Sequence, residues 1–309
     1  MSPALFEPFE RLNQTLKTHP RMQAFLALPD VVQRSIVVGL LVSITSIILG
    51  FVYYFINATI AIGITASILA GLATGLGALP ALLYRDVSHK TLSTLLGGAA
   101  GVMLAATAFS LIVPGIQYGN QLWPKLGVYV VAFGIMAGAV FLVLVDRWMP
   151  YDRYLEAGDS FDSLKKVWLF IAAIVLHNFP EGMAVGVSFG SGDLSNGTAL
   201  AIAIGLQNIP EGLAVAMPLV ALGYPRQQAV FIALLSGLVE PLGGFLGVVS
   251  VTWFLPLLPI GMAFAAGAML FVITDDIIPE AQSQGKSRAA TFAIMFGFIV
   301  MMILDNLLT

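Results

Sequence analysis

HNFPEGMAV at residues 177–185 and QNIPEGLAV at 207–215 share the core N-x-P-E-G-x-A-V, and each lies inside a long apolar run. A proline there withholds a helical N–H and crowds the preceding turn. An isolated acid near the centre of a bilayer costs ~2.5–3.5 kcal/mol on insertion scales. A chain that does both twice must have something at that depth to neutralise the acids.

The surrounding composition supports membrane depth. Of 309 residues, 58% are hydrophobic and 10% charged, with mean hydropathy +0.92. Soluble domains carry about a quarter charged residues. Apolar runs of spanning length recur along the chain. The fold class is an all-α polytopic membrane protein. Nine spans are predicted, at 35–57, 60–84, 92–113, 125–146, 167–189, 197–219, 227–250, 254–279 and 288–308. Plentiful Gly (31) and Met (12) suit helices packed closely in lipid. The absence of cysteine removes disulfides, thiolate ligands and thiol nucleophiles together. A net charge of −3 gives no reason to expect a nucleic-acid partner.

With nine spans, all fourteen Lys and Arg except Lys125 fall on one face. The positive-inside rule makes that face cytoplasmic. The N-terminus is then inside and the C-terminus outside. Residues 1–33 are mixed polar and apolar and hold Pro20 and Pro29, so a cleavable signal is not expected there, whereas an interfacial helix fits. The acidic segment 148–165 is expected to be a solvated cytoplasmic linker.

Four ionisable residues stand near span midpoints: His177 and Glu181 in span five, Glu211 in span six and Glu240 in span seven. No Lys or Arg lies at that depth, which leaves protons or a bound cation. Spacing favours the cation. His177 and Glu181 share a helix face at i,i+4, as do Gln207 and Glu211. Asn178 and Asn208 lie three residues before their glutamates. Spans five and six are antiparallel and closely joined, so the motifs meet at one depth. One imidazole, two carboxylates and several amide oxygens form a divalent-metal ligand set. Two glutamates balance one M²⁺, and Glu240 allows a second cation or a proton. Pro180 and Pro210 deprive the carbonyls of Leu176 and Leu206 of their helical donors, and such carbonyls can face a cation. Pro241, after Glu240, repeats the device.

The bland readings are definite. A lone His or Pro in a span is commonly a hydrogen-bonding partner or a kink. Met103 fits the core as well as a ligand shell, and Ser110 fits a helix-backbone donor. The sequons Asn57-Ala58-Thr59 and Asn196-Gly197-Thr198 lie in short connections and carry no expected role. Further acids lie along the membrane normal: Asp305 near the outer end of span nine, and Asp275, Asp276, Glu280 and Asp146 at inner ends. They either line a cation route or reach the interface.

These motifs together resemble the ZIP (Zrt-/Irt-like) metal transporters. HNFPEG, QNIPEG, LSGLVEPLGG, GVMLAATAFSLIVPG and DDIIPE are each similar to a core helix signature of that family, and the QN form is most like its bacterial GufA-type branch. The resemblance implies a cytoplasmic segment 1–33, an extra N-terminal span 34–58 and an eight-span core 59–309, interrupted by a cytoplasmic loop 147–166. It implies inverted three-helix repeats, a homodimer and elevator-like movement in a bacterial inner membrane. The implied substrate is Zn²⁺, one or two ions per site, with Cd²⁺, Fe²⁺ or Mn²⁺ able to replace it. The implied central site is Met103, His177, Glu181, Gln207 and Glu211. The implied second site is Asn178, Glu181, Asn208, Glu211 and Glu240. Ser110 and Asp305 match the entrance, and Asp275, Asp276 and Glu280 the release side. Asn208 stands where some relatives carry an acid, and Asp275-Asp276 where many carry His-Glu.

Two other classes fit the sequence less well. An intramembrane metalloenzyme lacks H-E-x-x-H and a spare base here. A proton-coupled carrier of organic cations calls for an aromatic pocket, yet the residues beside the motifs are small and aliphatic.

Overall fold

The computed structural model describes residues 27–84, 88–146, 163–282 and 288–308. The expected interfacial helix lies largely outside the described residues, and so does most of the acidic linker. Among the described residues there is no strand. Among them, eight helical stretches are long and apolar enough to cross a membrane, by length and composition. A further helix of 28 residues, Ser163–Gly190, carries the first motif where span five was expected.

The chain divides into two compact units, to Ile56 and from Asn57. In the first, α1 (Asp30–Phe51) ends in a wide π turn, Val52–Ile56, on which Phe51 stacks on Phe55 at 5.1 Å.

The second unit opens with α2 (Ala58–Ala78), capped by the Asn57 side chain, which accepts from the Ile60 N–H at 3.2 Å. The next span runs without a break through α3 (His89–Ala106), a π turn at Thr107–Ile112, and α4 (Val113–Leu122). It is therefore longer than the sequence predicted, continuing past the proline at 114. Helix α5 covers Gly127–Asp146. The motif-bearing pair is α6 (Ser163–Gly190) and α7 (Leu194–Ala221), with Pro180 and Pro210 inside them. Their short turn holds Gly192 at φ +83°, a conformation that suits glycine. Asp193 caps α7 by accepting from the Asn196 N–H at 3.0 Å.

Span seven is not one helix. It stops as α8 (Arg226–Gly237) and restarts as α9 (Glu240–Trp253). A single kinked span was expected. Pro241 instead serves as an early residue of a new helix, where its missing N–H costs nothing. The break puts Glu240 at a helix start. The last two spans are α10 (Leu257–Val272), which continues through a π turn at Ile273–Ile277 into α11 (Ile278–Ala281), and α12 (Arg288–Leu308).

The second unit has two bundles. Helices α2, α6, α7, α8 and α9 pack together, with α9 lying along α6 and α7 along α2. Helices α3, α5, α10 and α12 form the other, with α12 along α3 and α10 along α5. The bundles meet mainly where α7 lies on α3 and α6 on α10. Close approach within them depends on glycine. A Cβ at Gly182 would collide with the backbone carbonyl of Glu240, and one at Gly186 with that of Gly244. The main apolar core, with Met103, Leu111, Leu200, Leu258 and Met262 all fully buried, fills the seam.

Candidate metal site

The kinked centres of α6 and α7 face the restart of span seven. Asn178, Glu181, Gln207, Asn208, Glu211 and Glu240 are all buried. Four of them form a hydrogen-bonded row. The Gln207 amide Nε2 donates to Glu181 Oε2 at 2.7 Å and to Asn208 Oδ1 at 2.8 Å. The Asn208 amide Nδ2 donates to Glu240 Oε1 at 2.6 Å and to the Ala70 carbonyl at 2.9 Å. Asn178 Nδ2 donates to the Ser236 carbonyl at 2.8 Å, in the last turn before the break.

The row leaves acceptors over. Asn178 Oδ1, Glu181 Oε1, Gln207 Oε1, Glu211 Oε2 and Glu240 Oε2 are buried and receive no hydrogen bond. An unsatisfied buried polar group costs about 1–3 kcal/mol, and more when charged. Five such oxygens on three facing elements are acceptors without a protein donor. A cation would supply what they lack.

Two amides separate the acids at the ends of the row. Among the described residues, no three His, Cys, Asp or Glu side chains sit close enough together to hold a metal ion by themselves. The donor set is mixed, and Gln207 engages only one of the two Glu181 oxygens. His177, one turn from Glu181, lies with Nε2 3.3 Å from Asp276 Oδ2. Both are partly exposed, at 15% and 31%. The structure thus brings Asp276 against the histidine rather than leaving it apart at a helix end. Asp275 and Glu280 are exposed on the same wide turn and the helix after it. Asp146 closes α5, and its side chain lies outside the described residues.

Met103 is buried in the apolar core, and its carbonyl accepts from Thr107 Oγ1 at 2.7 Å. Ser110 does not bond back to its own helix. Its hydroxyl donates to Asp305 Oδ1 at 2.6 Å, both residues being buried.

Two features were not legible. Thr74 Oγ1 is buried without a partner, opposite Gly237 at the break. Thr65 and Thr107 bond to their i−4 carbonyls. Thr74 stands four residues after Ala70, whose carbonyl Asn208 already engages. Asn196 is the other. Its amide Nδ2 donates to the Ser110 carbonyl at 3.2 Å and to Ser188 Oγ at 2.9 Å. At 4% exposure it cannot serve as a glycan acceptor, and nothing in the sequence placed it against Ser110.

An all-helical membrane protein with buried acids and amides around two proline-kinked helices belongs to the class of cation-handling transporters. Comparison with known proteins makes this specific. Residues 153–305 match the family model described as ZIP Zinc transporter. The chain is 42% identical over 247 residues to "Zinc transporter GufA" of Myxococcus xanthus, covering 79% of this chain and 97% of the relative. It is 43% identical over 284 residues to "Zinc transporter ZIPB" of Bordetella bronchiseptica, covering 88% and 92%. To "Zinc transporter ZIP11" of Homo sapiens it is 33% identical, covering 75% and 93%. The chain belongs to the ZIP family, as a GufA-like member. That family consists of membrane transporters rather than enzymes.

Proposed function

We propose that this protein carries Zn²⁺ across the bacterial inner membrane into the cytoplasm. The single observation that supports this most is the set of five unpartnered buried oxygens on Asn178, Glu181, Gln207, Glu211 and Glu240. The names of the relatives supply the metal.

In this reading the ion enters from the Asp305 side, which is the outside, past the Ser110–Asp305 pair. His177, Glu181, Gln207 and Glu211 take it up at the bilayer midplane as the Gln207–Glu181 hydrogen bond opens. Asn178, Asn208 and Glu240 line the adjoining subsite. Asn208 already satisfies one oxygen of Glu240, which favours one ion per site over two. Movement of the α2–α6–α7–α8–α9 bundle against the other exposes the site to the cytoplasm in an elevator-like step. Asp276, Asp275 and Glu280 receive the ion on release. Cd²⁺ is the closest substitute, being divalent and tolerant of mixed N/O ligands. A homodimer is the expected assembly.

The test is zinc uptake by purified protein in liposomes with an indicator inside. Wild type is expected to give saturable uptake, and Glu181→Ala and Glu211→Ala none. Normal uptake by either variant overturns the assignment of this site.

A further inference from the structure

Each motif-bearing helix touches the opposite bundle at a π turn. His177 on α6 meets Asp276, within Ile273–Ile277. Asn196 on α7 meets the carbonyl of Ser110, within Thr107–Ile112. The turns are chemically alike. Pro114 stands four residues after Ser110, and Pro279 four residues after Asp275. In each case the proline withholds the N–H that a helix would send to that carbonyl. Wide turns of this kind recur at functional sites.

The contact at Asn196 closes a buried polar junction. Ser110 sends its hydroxyl to Asp305 on α12 and receives Asn196 on its carbonyl. Asn196 is held in aim by Ser188 on α6, and its backbone N–H is fixed by Asp193. Ser110, Ser188, Asn196 and Asp305 are all buried, and Leu200, one turn along α7, is wholly inaccessible. This side of the seam is shut, whereas the His177 and Asp276 side chains stay partly exposed.

We propose that Asn196 is a positioning residue that latches the seam closed on the Asp305 side, its amide standing in for the donor that Pro114 withholds. The latch rests on the alternating-access reading above. When the bundles move to open this side, the bond from Asn196 to Ser110 breaks, because it joins one bundle to the other. The bond to Ser188 stays, because both residues move together. Asn196 therefore sets how often the site faces the Asp305 side, without touching the metal.

The protein has no cysteine, so one introduced thiol reports alone. Leu200→Cys is placed in liposome-reconstituted protein and labelled with a membrane-impermeant maleimide from the Asp305 side. Adding Asn196→Ala is expected to speed labelling about three- to tenfold, the shift that one net hydrogen bond gives. The KM for zinc presented on that side should fall in parallel, since a larger fraction of the protein is competent to bind. Pro114→Ala supplies the missing N–H and should act in the same direction, with the double variant showing less than the product of the two effects. A residue that merely supports the fold would raise KM or lower the folded yield instead. Unchanged labelling and KM in well-folded variants overturn the latch. Absence of zinc uptake by wild type would sink the transport reading alone, because the labelling comparison still decides what Asn196 does.

Discussion

His177 and Asp276 stand 3.3 Å apart, nitrogen to carboxylate oxygen, across the seam between the two bundles. One residue belongs to the HNFPEG motif and the other to a π turn that the sequence placed at a helix end. In the proposed pathway a ligand of the central site and a release acid would therefore be neighbours. On that pathway an ion leaving the imidazole would meet a carboxylate at once.

Asp276→Asn follows directly. The variant keeps the size and hydrogen-bonding of the side chain and removes its charge. A hydrogen bond to a charged group is worth about 1.5–3 kcal/mol. Maximal zinc uptake should fall about tenfold or more, with KM changed little. His177→Ala should show the reverse, a raised KM with a smaller effect on maximal rate. The check is full uptake curves for both variants, and equal loss in KM for both would show that Asp276 is a primary ligand.

How much of this was readable in the chain depends on what each feature rests on. The spans follow from apolar run length, and the facing of α6 and α7 follows from i,i+4 spacing and a short turn, so both were legible. The break at Gly237–Glu240 was not, since Pro241 is equally compatible with a kinked helix and with a helix start. The two π turns of the second unit leave no periodic signal. Their trace is a proline four residues after the carbonyl that gives way, in SLIVPG and DDIIPE, which reads as an ordinary kink. The hydrogen bonds of Asn196 and the unpartnered hydroxyl of Thr74 depend on which helices pack together, and no local pattern encodes that.

Helix packing gives a stability test. A side chain at Gly186 would drive into the carbonyl of Gly244 on α9, whereas a Cβ at Gly98 meets nothing within 4 Å. Gly186→Val should therefore lower stability by about 1–3 kcal/mol or prevent folding. Gly98→Ala should leave it unchanged or raise it by up to ~1 kcal/mol through helix propensity. Thermal unfolding in detergent separates the two. Equal melting temperatures would mean that α6 and α9 are not in this close contact.

Proton competition gives a direction for pH. Carboxylates must be ionised to bind metal, so acidification sets protons against zinc for the oxygens of Glu181 and Glu211. KM should rise as the pH on the Asp305 side is lowered, with saturating zinc restoring the rate. Uptake at several zinc concentrations and two pH values tests this, and a fall in maximal rate without a change in KM would point to a different titrating step.

Asn208 separates one-ion from two-ion readings. Its amide spends one hydrogen on Glu240 at 2.6 Å and the other on the carbonyl of Ala70 at 2.9 Å. Asn208→Asp keeps the shape and removes both donors. A carboxylate then faces the Glu240 carboxylate at hydrogen-bonding distance with no cation between them. Without metal the variant should be destabilised, since buried like charges repel and both have lost hydration. With zinc it should recover, because a second ion binds between the two acids and stabilises the folded state by mass action. Bound metal at saturating zinc should rise from about one to two ions per chain, matching the added pair of facing acids. Elemental analysis and melting curves with and without chelator measure both effects. Two ions already in the wild type would show that the Asn208 amide gives way to metal, and that the row from Glu181 through Gln207 and Asn208 to Glu240 rearranges more widely than the Gln207–Glu181 bond alone.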